Sequence, residues 1–333
     1  MKLDIRDLKL MHMLVENSRY SNTRIGKTLN ISKDAAAYRI RRLKRKGCIK
    51  SYETIINFFA LGYRLYYLMV QLQPADLSEE DSFVQYISSY PNVITCLKAS
   101  GKWDFQITYA AKDSKDIGRI IDDLSSQFNI RQHELFPQIA ELKFTPLFSM
   151  IDLRLNVNDR KDSSYSTYLK DSRFELKDSK NVKLDRTDTC ILKHLSSDPR
   201  ASLADISKDT GLTAEAVSYR IKSLIRKDVI LGFSILPDYL NLGYLMHTVF
   251  LDVSGDKYST IRHFLDSEND IIHASQMDND YNLVLYVLSK THKDFNNLLI
   301  RTRRFLGERL KSYESTLILE WYCYNLFPEC LCK

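Results

Sequence analysis

The chain has 333 residues, 44% of them hydrophobic and 27% charged, which is the balance of a soluble globular protein with room for several modest domains. No run approaches the roughly 18 uninterrupted apolar residues of a membrane span, and residues 1–7 contain no apolar segment of the kind a signal peptide needs. Cys48, Cys96, Cys190, Cys323, Cys330 and Cys332 are scattered without a C-x-x-C pair, so buried free thiols are expected rather than a disulfide or metal framework. Net charge is +6 and unevenly placed: residues 1–50 hold fourteen Lys/Arg against four Asp/Glu, whereas residues 183–233 hold nine against seven. Basic charge gathered in one small unit points to a polyanionic partner, with a merely solvated face as the bland alternative.

The first element predicted is a helix. Asp4 is a natural N-cap with Asp7 three residues on, where a carboxylate meets the positive helix end, and Leu10, Met11 and Leu14 recur at helical spacing. After a break at residues 17–20, Ser21 caps a second helix that ends near Leu29, followed by Asn30, which tolerates a left-handed stop. Ser32 caps a third helix, with Asp34 in its first turn and an end at Lys46-Gly47. Helix, helix, tight turn and helix within fifty residues form a helix-turn-helix unit. A strand pattern follows (Ile49, Tyr52, Ile55), and then the order β-α-β-β-α-β is read over residues 65–72, 79–90, 93–100, 105–111, 115–128 and 135–148. That is a ferredoxin-like arrangement, whose sheet has one face under helices and the other left to be buried. Residues 156–182, rich in Asp, Lys, Ser and Asn, read as a linker with a short ordered piece around residues 165–174.

The whole series then repeats. Lys2-Leu3-Asp4 returns as Lys183-Leu184-Asp185, Arg19-x-Ser21 as Arg200-x-Ser202, Tyr38-Arg39-Ile40 as Tyr219-Arg220-Ile221, and Leu61-Gly62-Tyr63 as Leu242-Gly243-Tyr244, all at an offset of 181. A period that long marks a duplicated domain pair, not a solenoid. The second sheet unit is read over residues 246–253, 258–266, 271–276, 283–288, 293–306 and 316–326. The fold class is therefore α+β, a winged-helix-like helix-turn-helix unit plus a ferredoxin-like domain, each present twice. The divisions fall at 1–50, 51–150, a linker at 151–182, 183–232 and 233–333, and the two sheets are expected to pack face to face.

On a helical wheel Ala36, Ile40 and Leu43 form one stripe of the third helix, as do Val217, Ile221 and Leu224 in its copy. The opposite face carries Tyr38, Arg41, Arg42 and Arg45, with Arg39 at the flank and Lys33 at the start; in the copy it carries Tyr219, Lys222, Ser223 and Arg226, with Arg220 at the flank. An exposed helix with this many donors suits a DNA major groove, and the Arg fork can read guanine or clamp phosphate. Ser21 and Ser32 sit at helix starts, where hydroxyl and backbone N–H groups can meet a phosphate. The expected contacts to double-stranded DNA are Ser21, Ser32, Lys33, Tyr38, Arg39, Arg41, Arg42, Arg45, Tyr219, Arg220, Lys222 and Arg226, and the second copy, with Ser223 in place of Arg42, is expected to bind differently or more weakly.

These motifs resemble the Lrp/AsnC, or feast/famine, family of transcriptional regulators. Leu-Asp-x-x-Asp, Arg-x-Ser and the capped helix ending in Tyr-Arg-Ile-x-x-Leu carry the resemblance, which covers nearly the whole chain outside the linker, twice. It implies a sheet domain for assembly and amino-acid sensing. A loop of the type Gly-x-aromatic-Asp lines the effector pocket in that family, and Ser100-Gly101-Lys102-Trp103-Asp104 is similar to it, so Ser100, Gly101 and Asp104 are the implied effector-binding residues. The second copy has Asn279 and Asn282 in place of Gly and Asp, which favours the first copy for a charged amino acid; a plain β-hairpin turn is the alternative. The family ordinarily has one pair of domains per chain and dimerises through its sheets, so the doubled chain implies an intramolecular pseudodimer. No cofactor, metal or membrane partner is expected, and the cytoplasm is the implied compartment.

Two other classes stay open. Some relatives of this architecture decarboxylate tetrapyrroles such as sirohaem; His273 and Tyr281-Asn282-Leu283 resemble that branch faintly, without the Arg pair and Trp-Pro it would imply, and a histidine on a strand, as His273 is, is more often a satisfied core or edge histidine. The third class is an adaptor whose helix-turn-helix units dock protein.

Overall fold

The computed structural model describes residues 3–73, 77–146, 174–175, 181–255, 258–328 and 331. The expected ordered piece of the linker lies largely outside these residues, as do Cys330 and Cys332; Cys48, Cys96, Cys190 and Cys323 are free thiols.

Each helix-turn-helix unit forms where its caps dictate. Helices α1 (Ile5–Glu16), α2 (Asn22–Leu29) and α3 (Lys33–Arg45) start at Asp4, Ser21 and Ser32, each accepting a backbone N–H three residues on. Asp4 and Asp7 complete a reciprocal capping box. Asn30 takes the left-handed conformation that ends α2. The close turn that follows needs Gly26, because a Cβ there would lie 2.8 Å from the Ile31 carbonyl oxygen. After strand β1 (Ile49–Ile56) come β2 (Arg64–Leu72), α4 (Leu77–Ser89), β3 (Val93–Ser100), β4 (Phe105–Ala111), α5 (Ser114–Gln127) and β5 (Ile130–Phe144). A two-residue strand β6 (Phe174–Glu175) lies against β5. The second copy repeats the plan: α6 (Arg186–Ser197), α7 (Leu203–Thr210), α8 (Ala214–Arg226), β7 (Ile230–Pro237), β8 (Leu245–Val253), α9 (Tyr258–Ser267), β9 (Ile271–Met277), β10 (Leu283–Ser289), α10 (His292–Leu306) and β11 (Leu310–Tyr324).

The two sheets face one another and also join at their edges. The order β2-β4-β3-β11-β8-β10-β9-β5 closes on itself because β5 also pairs with β2, and every pairing is antiparallel. The 15-residue strands β5 and β11 make the closure. The first part of β5 pairs with β2 of its own unit and the remainder with β9 of the other, while β11 divides in the same way between β8 and β3. Closure pairs the edge strands of the two sheet units with one another, so β2 and β5 present no free edge of the kind an open sheet has at each end.

Alternation along the strands fills both sides. Tyr67 and Met69 point into the barrel with Phe136, Met246, Phe250 and Tyr286, while Leu68 and Val70 point outward under Phe83, Ile87, Ile120 and Leu124 of α4 and α5. Helices α9 and α10 cover the other unit through Ile261, Leu265, Leu298 and Leu306. Strands β5 and β11 start five and six residues earlier than the sequence pattern predicts, because residues 130–134 and 310–315 are mostly polar and exposed and give no apolar alternation. The wing strands also differ from a simple winged helix: β1 pairs with β7 across the two copies, forming one antiparallel ribbon shared by both helix-turn-helix units. No helix among the described residues is long and apolar enough to cross a membrane.

Candidate nucleic-acid interface

In α3 the stripe Ala36, Ile40 and Leu43 is buried against α1 and α2, and Val217, Ile221 and Leu224 are buried in the same way in α8. That fixes the opposite faces toward solvent. Tyr38 is 53% exposed and Tyr219 65%, unusually high for large aromatic side chains. Lys33, Arg41 and Arg45 are exposed beside Tyr38, and Lys222 and Arg226 beside Tyr219. The Arg226 guanidinium lies over the Tyr219 ring, 5.7 Å from its centre. Ser21 and Ser32 are exposed; their oxygens accept the Arg24 and Ala35 amides, which leaves each O–H able to donate outward.

Three of the expected DNA contacts are engaged within the protein, two of them, Arg39 and Arg220, at the flank where the wheel puts them. Arg39 binds Asp4 and Asp7 at 2.7 Å, and Arg42 binds both oxygens of Asp7. Arg220 bridges Asp185 at 2.6 Å and Asp188 at 2.9 Å. The acids that cap α1 and α6 thus also draw in the nearest cations of the third helices. Asp185 is held below its ordinary pKa, first by the Asp188 amide and then by Arg220, against the effect of burial. Arg39 and Arg220 are pushed up, led by their bonds to Asp4 and Asp185 respectively. The second copy needs one Arg where the first uses two, and Ser223 occupies the place of Arg42. Of the expected contacts, the cations left facing outward are Lys33, Arg41 and Arg45 on one helix, where Lys44 is exposed as well, and Lys222 and Arg226 on the other.

The two helix-turn-helix units are held together by a reciprocal latch. Arg19 donates to the carbonyls of Pro199 and Ala201, and Arg200 to those of Ser18 and Tyr20 and to the Asn22 amide oxygen. Arg19 lies over the Phe233 ring and Arg200 over the Tyr52 ring, at 5.2 and 5.8 Å. Around them Thr54 Oγ1 donates to the Leu195 carbonyl, Ser234 Oγ to that of Val15, and the Ser18 amide to that of Phe233. The core of each unit continues into the ribbon, Ile235 and Leu236 against the first unit and Ile56 and Phe58 against the second. The repeated Arg-x-Ser at offset 181 was the sequence signal for this latch, but its position beside a cap suggested no partner.

The loop at Ser100, Gly101 and Asp104 is a hairpin turn between β3 and β4. Gly101 has φ +131°, a conformation that favours glycine, and Trp103 is buried. Asp104 Oδ2 accepts the Leu72 amide at 2.9 Å. In the second unit Asn282 occupies the same place, accepting the Val253 amide at 3.1 Å and donating to the Val253 carbonyl at 2.8 Å. The side chain at this position clips the end of the first strand in both units, which is why Asp and Asn interchange there. Lys102 reaches Glu314 at 3.4 Å and Glu134 at 3.6 Å.

Comparison with known proteins agrees with this geometry. The AsnC-type helix-turn-helix domain matches residues 3–44 and again 184–225, and the Lrp/AsnC ligand binding domain matches residues 65–148. The chain belongs to the Lrp/AsnC family of transcriptional regulators, as a tandem duplication of its two-domain plan. It is similar to HTH-type transcriptional regulator FL11 of Pyrococcus horikoshii, 34% identical over 119 residues that cover 35% of this chain and 79% of that protein. It is also similar to the leucine-responsive regulatory protein of Rhizobium meliloti, 27% identical over 144 residues, 43% of this chain and 92% of the relative. Over nearly its whole length it shares its fold with the siroheme decarboxylase NirDL, at a TM-score of 0.62 and 11% identity, covering 96% of this chain and 93% of that one.

Proposed function

We propose that this protein is a sequence-specific, cytoplasmic DNA-binding regulator whose single chain presents two unequal recognition helices to double-stranded DNA. The observation that carries this is the pair of exposed faces centred on Tyr38 and Tyr219: aromatic rings that exposed would normally be covered, and each is flanked by outward cations. The first face, with Lys33, Arg41 and Arg45, is the main contact and α8 the weaker one. In this reading the barrel holds the two faces at a fixed separation, so an intramolecular pair stands where the family implies a dimer, and DNA binding needs no enzymatic step or cofactor. Gel retardation on random genomic fragments at low and moderate salt tests it: selective, salt-sensitive retention is expected, whereas no retention at low salt contradicts it.

The second reading, a tetrapyrrole decarboxylase, is favoured only by the fold shared with NirDL. Sirohaem carries many carboxylates, and among the described residues lining the apolar cavity that holds His273 none is Lys or Arg. His273, the histidine most suggestive of such an enzyme, is instead held by Glu141 at 2.7 Å. A Soret-region complex formed on adding sirohaem, with no DNA retention, would favour the enzyme. An amino-acid effector remains part of the proposal; with Asp104 committed to the Leu72 amide, the loop has less to offer it than the resemblance implies.

A further inference from the structure

Between the β1–β7 ribbon and the barrel lies a cavity of about 170 Å³. Its walls are aliphatic and aromatic, with Ile55, Leu97, Met246, Ile272 and Trp321 among them. Its charged and titratable groups among the described residues are two carboxyls, Glu53 and Glu141, one imidazole, His273, and four phenols, and its other polar side chains, such as Asn57 and Thr108, are neutral.

Glu141 is the anomaly. It is 8% exposed, on a strand that crosses from one unit to the other. Its Oε2 is crowded, meeting His273 Nε2 at 2.7 Å, Gln138 Nε2 at 2.9 Å and Ser275 Oγ at 3.4 Å. Its Oε1 is buried and has no hydrogen-bond partner. A buried acceptor left unmade is costly, so its retention beside an apolar cavity calls for a donor that arrives from outside. Burial pushes the Glu141 carboxyl up while the neighbouring imidazole draws it back, so an incoming cation would favour its ionised form.

We infer that this cavity binds a small apolar amine, a single ammonium on an aromatic or branched aliphatic body, with the ammonium donating to Glu141 Oε1. The size suits one six-membered ring: a cavity of about 150 Å³ with apolar walls accepts benzene. A free amino acid fits less well, because its carboxylate would meet two acidic side chains, and the one basic group among the described lining residues, His273, is already engaged by Glu141. The floor of the cavity is made by Glu53, Ile55 and Ile56 of β1 and Leu236 of β7, the ribbon on which both helix-turn-helix units rest. Occupancy therefore bears on the spacing of the two recognition helices; this regulatory clause rests on the DNA-binding reading, whereas the site itself does not.

The test uses the full chain with benzylamine, titrated by calorimetry beside benzyl alcohol, benzoate and phenylalanine. Saturable binding of benzylamine is expected, at least tenfold tighter than any of the other three. Glu141→Gln should weaken it at least tenfold, and Leu97→Trp, which fills the apolar wall without touching the polar end, should abolish it in a protein that still melts cooperatively. Absence of benzylamine binding, equal binding of benzoate or phenylalanine, or full affinity in folded Glu141→Gln would overturn the site. DNA titrations with and without benzylamine form a separate arm: an unchanged DNA affinity with benzylamine bound overturns the regulatory clause, and failure of the chain to bind any DNA overturns the proposed function while leaving the amine site standing.

Discussion

Asp7 shows how one residue can serve a helix cap and an ion network together. It is 1% exposed, completes the cap of α1 and binds both Arg39 and Arg42. Removing one member of a buried ion network leaves the others uncompensated, so Asp7→Ala should lower stability by roughly 3 kcal/mol in urea unfolding. Arg42→Ala should also lower stability. Arg41→Ala should leave stability unchanged and weaken DNA binding by about 1–3 kcal/mol, more than Lys222→Ala does; equal losses in anisotropy titrations would contradict the asymmetry. The sequence showed which residues lie on the cationic face, since the caps and the wheel follow from local chemistry. It did not show that Arg39, Arg42 and Arg220 are engaged, because that depends on how α1 crosses α3 and α6 crosses α8, which the periodicity of a single helix does not encode. Glu53 adds a pH signature. Burial raises its pKa from 4.5 to about 8, although Ser51 and Tyr324 donate to it. The folded state then holds a proton that the unfolded state has lost, so this contribution is complete below about pH 4.5 and drains away as pH rises toward 8, with a slope of up to about 1.4 kcal/mol per pH unit. Glu53→Gln should flatten that slope in melts across this range; an unchanged slope would place the proton elsewhere.

At the scale of elements, the helices were legible and the long strands only half so. Caps at Asp4, Ser21 and Ser32 and at Asp185, Ser202 and Thr213 stand where the sequence puts them, because capping is a matter of three neighbouring residues. The start of β5 was missed because its first residues, Arg131, Gln132 and His133, are polar and exposed. The pairing of β1 with β7 was not readable at all, since partners nearly two hundred residues apart share no local pattern. The Arg19 and Arg200 latch is of the same kind, and it yields a prediction. Replacing both with Ala should leave affinity for a DNA half-site nearly unchanged and reduce affinity for a complete two-part site several-fold, measured by anisotropy on the two duplexes. A parallel loss on the half-site would mean that these arginines serve the fold of each unit, not the join between them.

For the whole molecule, duplication has turned an open-edged unit into a closed one. Two sheets that each expose an apolar face and two edges bury all of them in one barrel, with β5 and β11 as the crossing strands. The same symmetry that joins the barrel is relaxed where function is proposed. The outward cations are unequal on α3 and α8, and the crossing strands bring Glu141 with His273 to one side and Trp321 with Leu97 to the other. A symmetric pair suits a palindrome, whereas the proposed function calls for a site with one strong and one weak half.

A salt series of DNA affinities, joined to a methylation footprint of one selected fragment, tests DNA binding by two unequal helices. Log affinity should fall linearly with log salt, by about 0.9 for each phosphate contact, and the two halves of the footprint should be protected unequally, with Arg41→Ala erasing the stronger half. Affinity that ignores salt, or a perfect palindrome protected equally on both sides by a single chain, would contradict it.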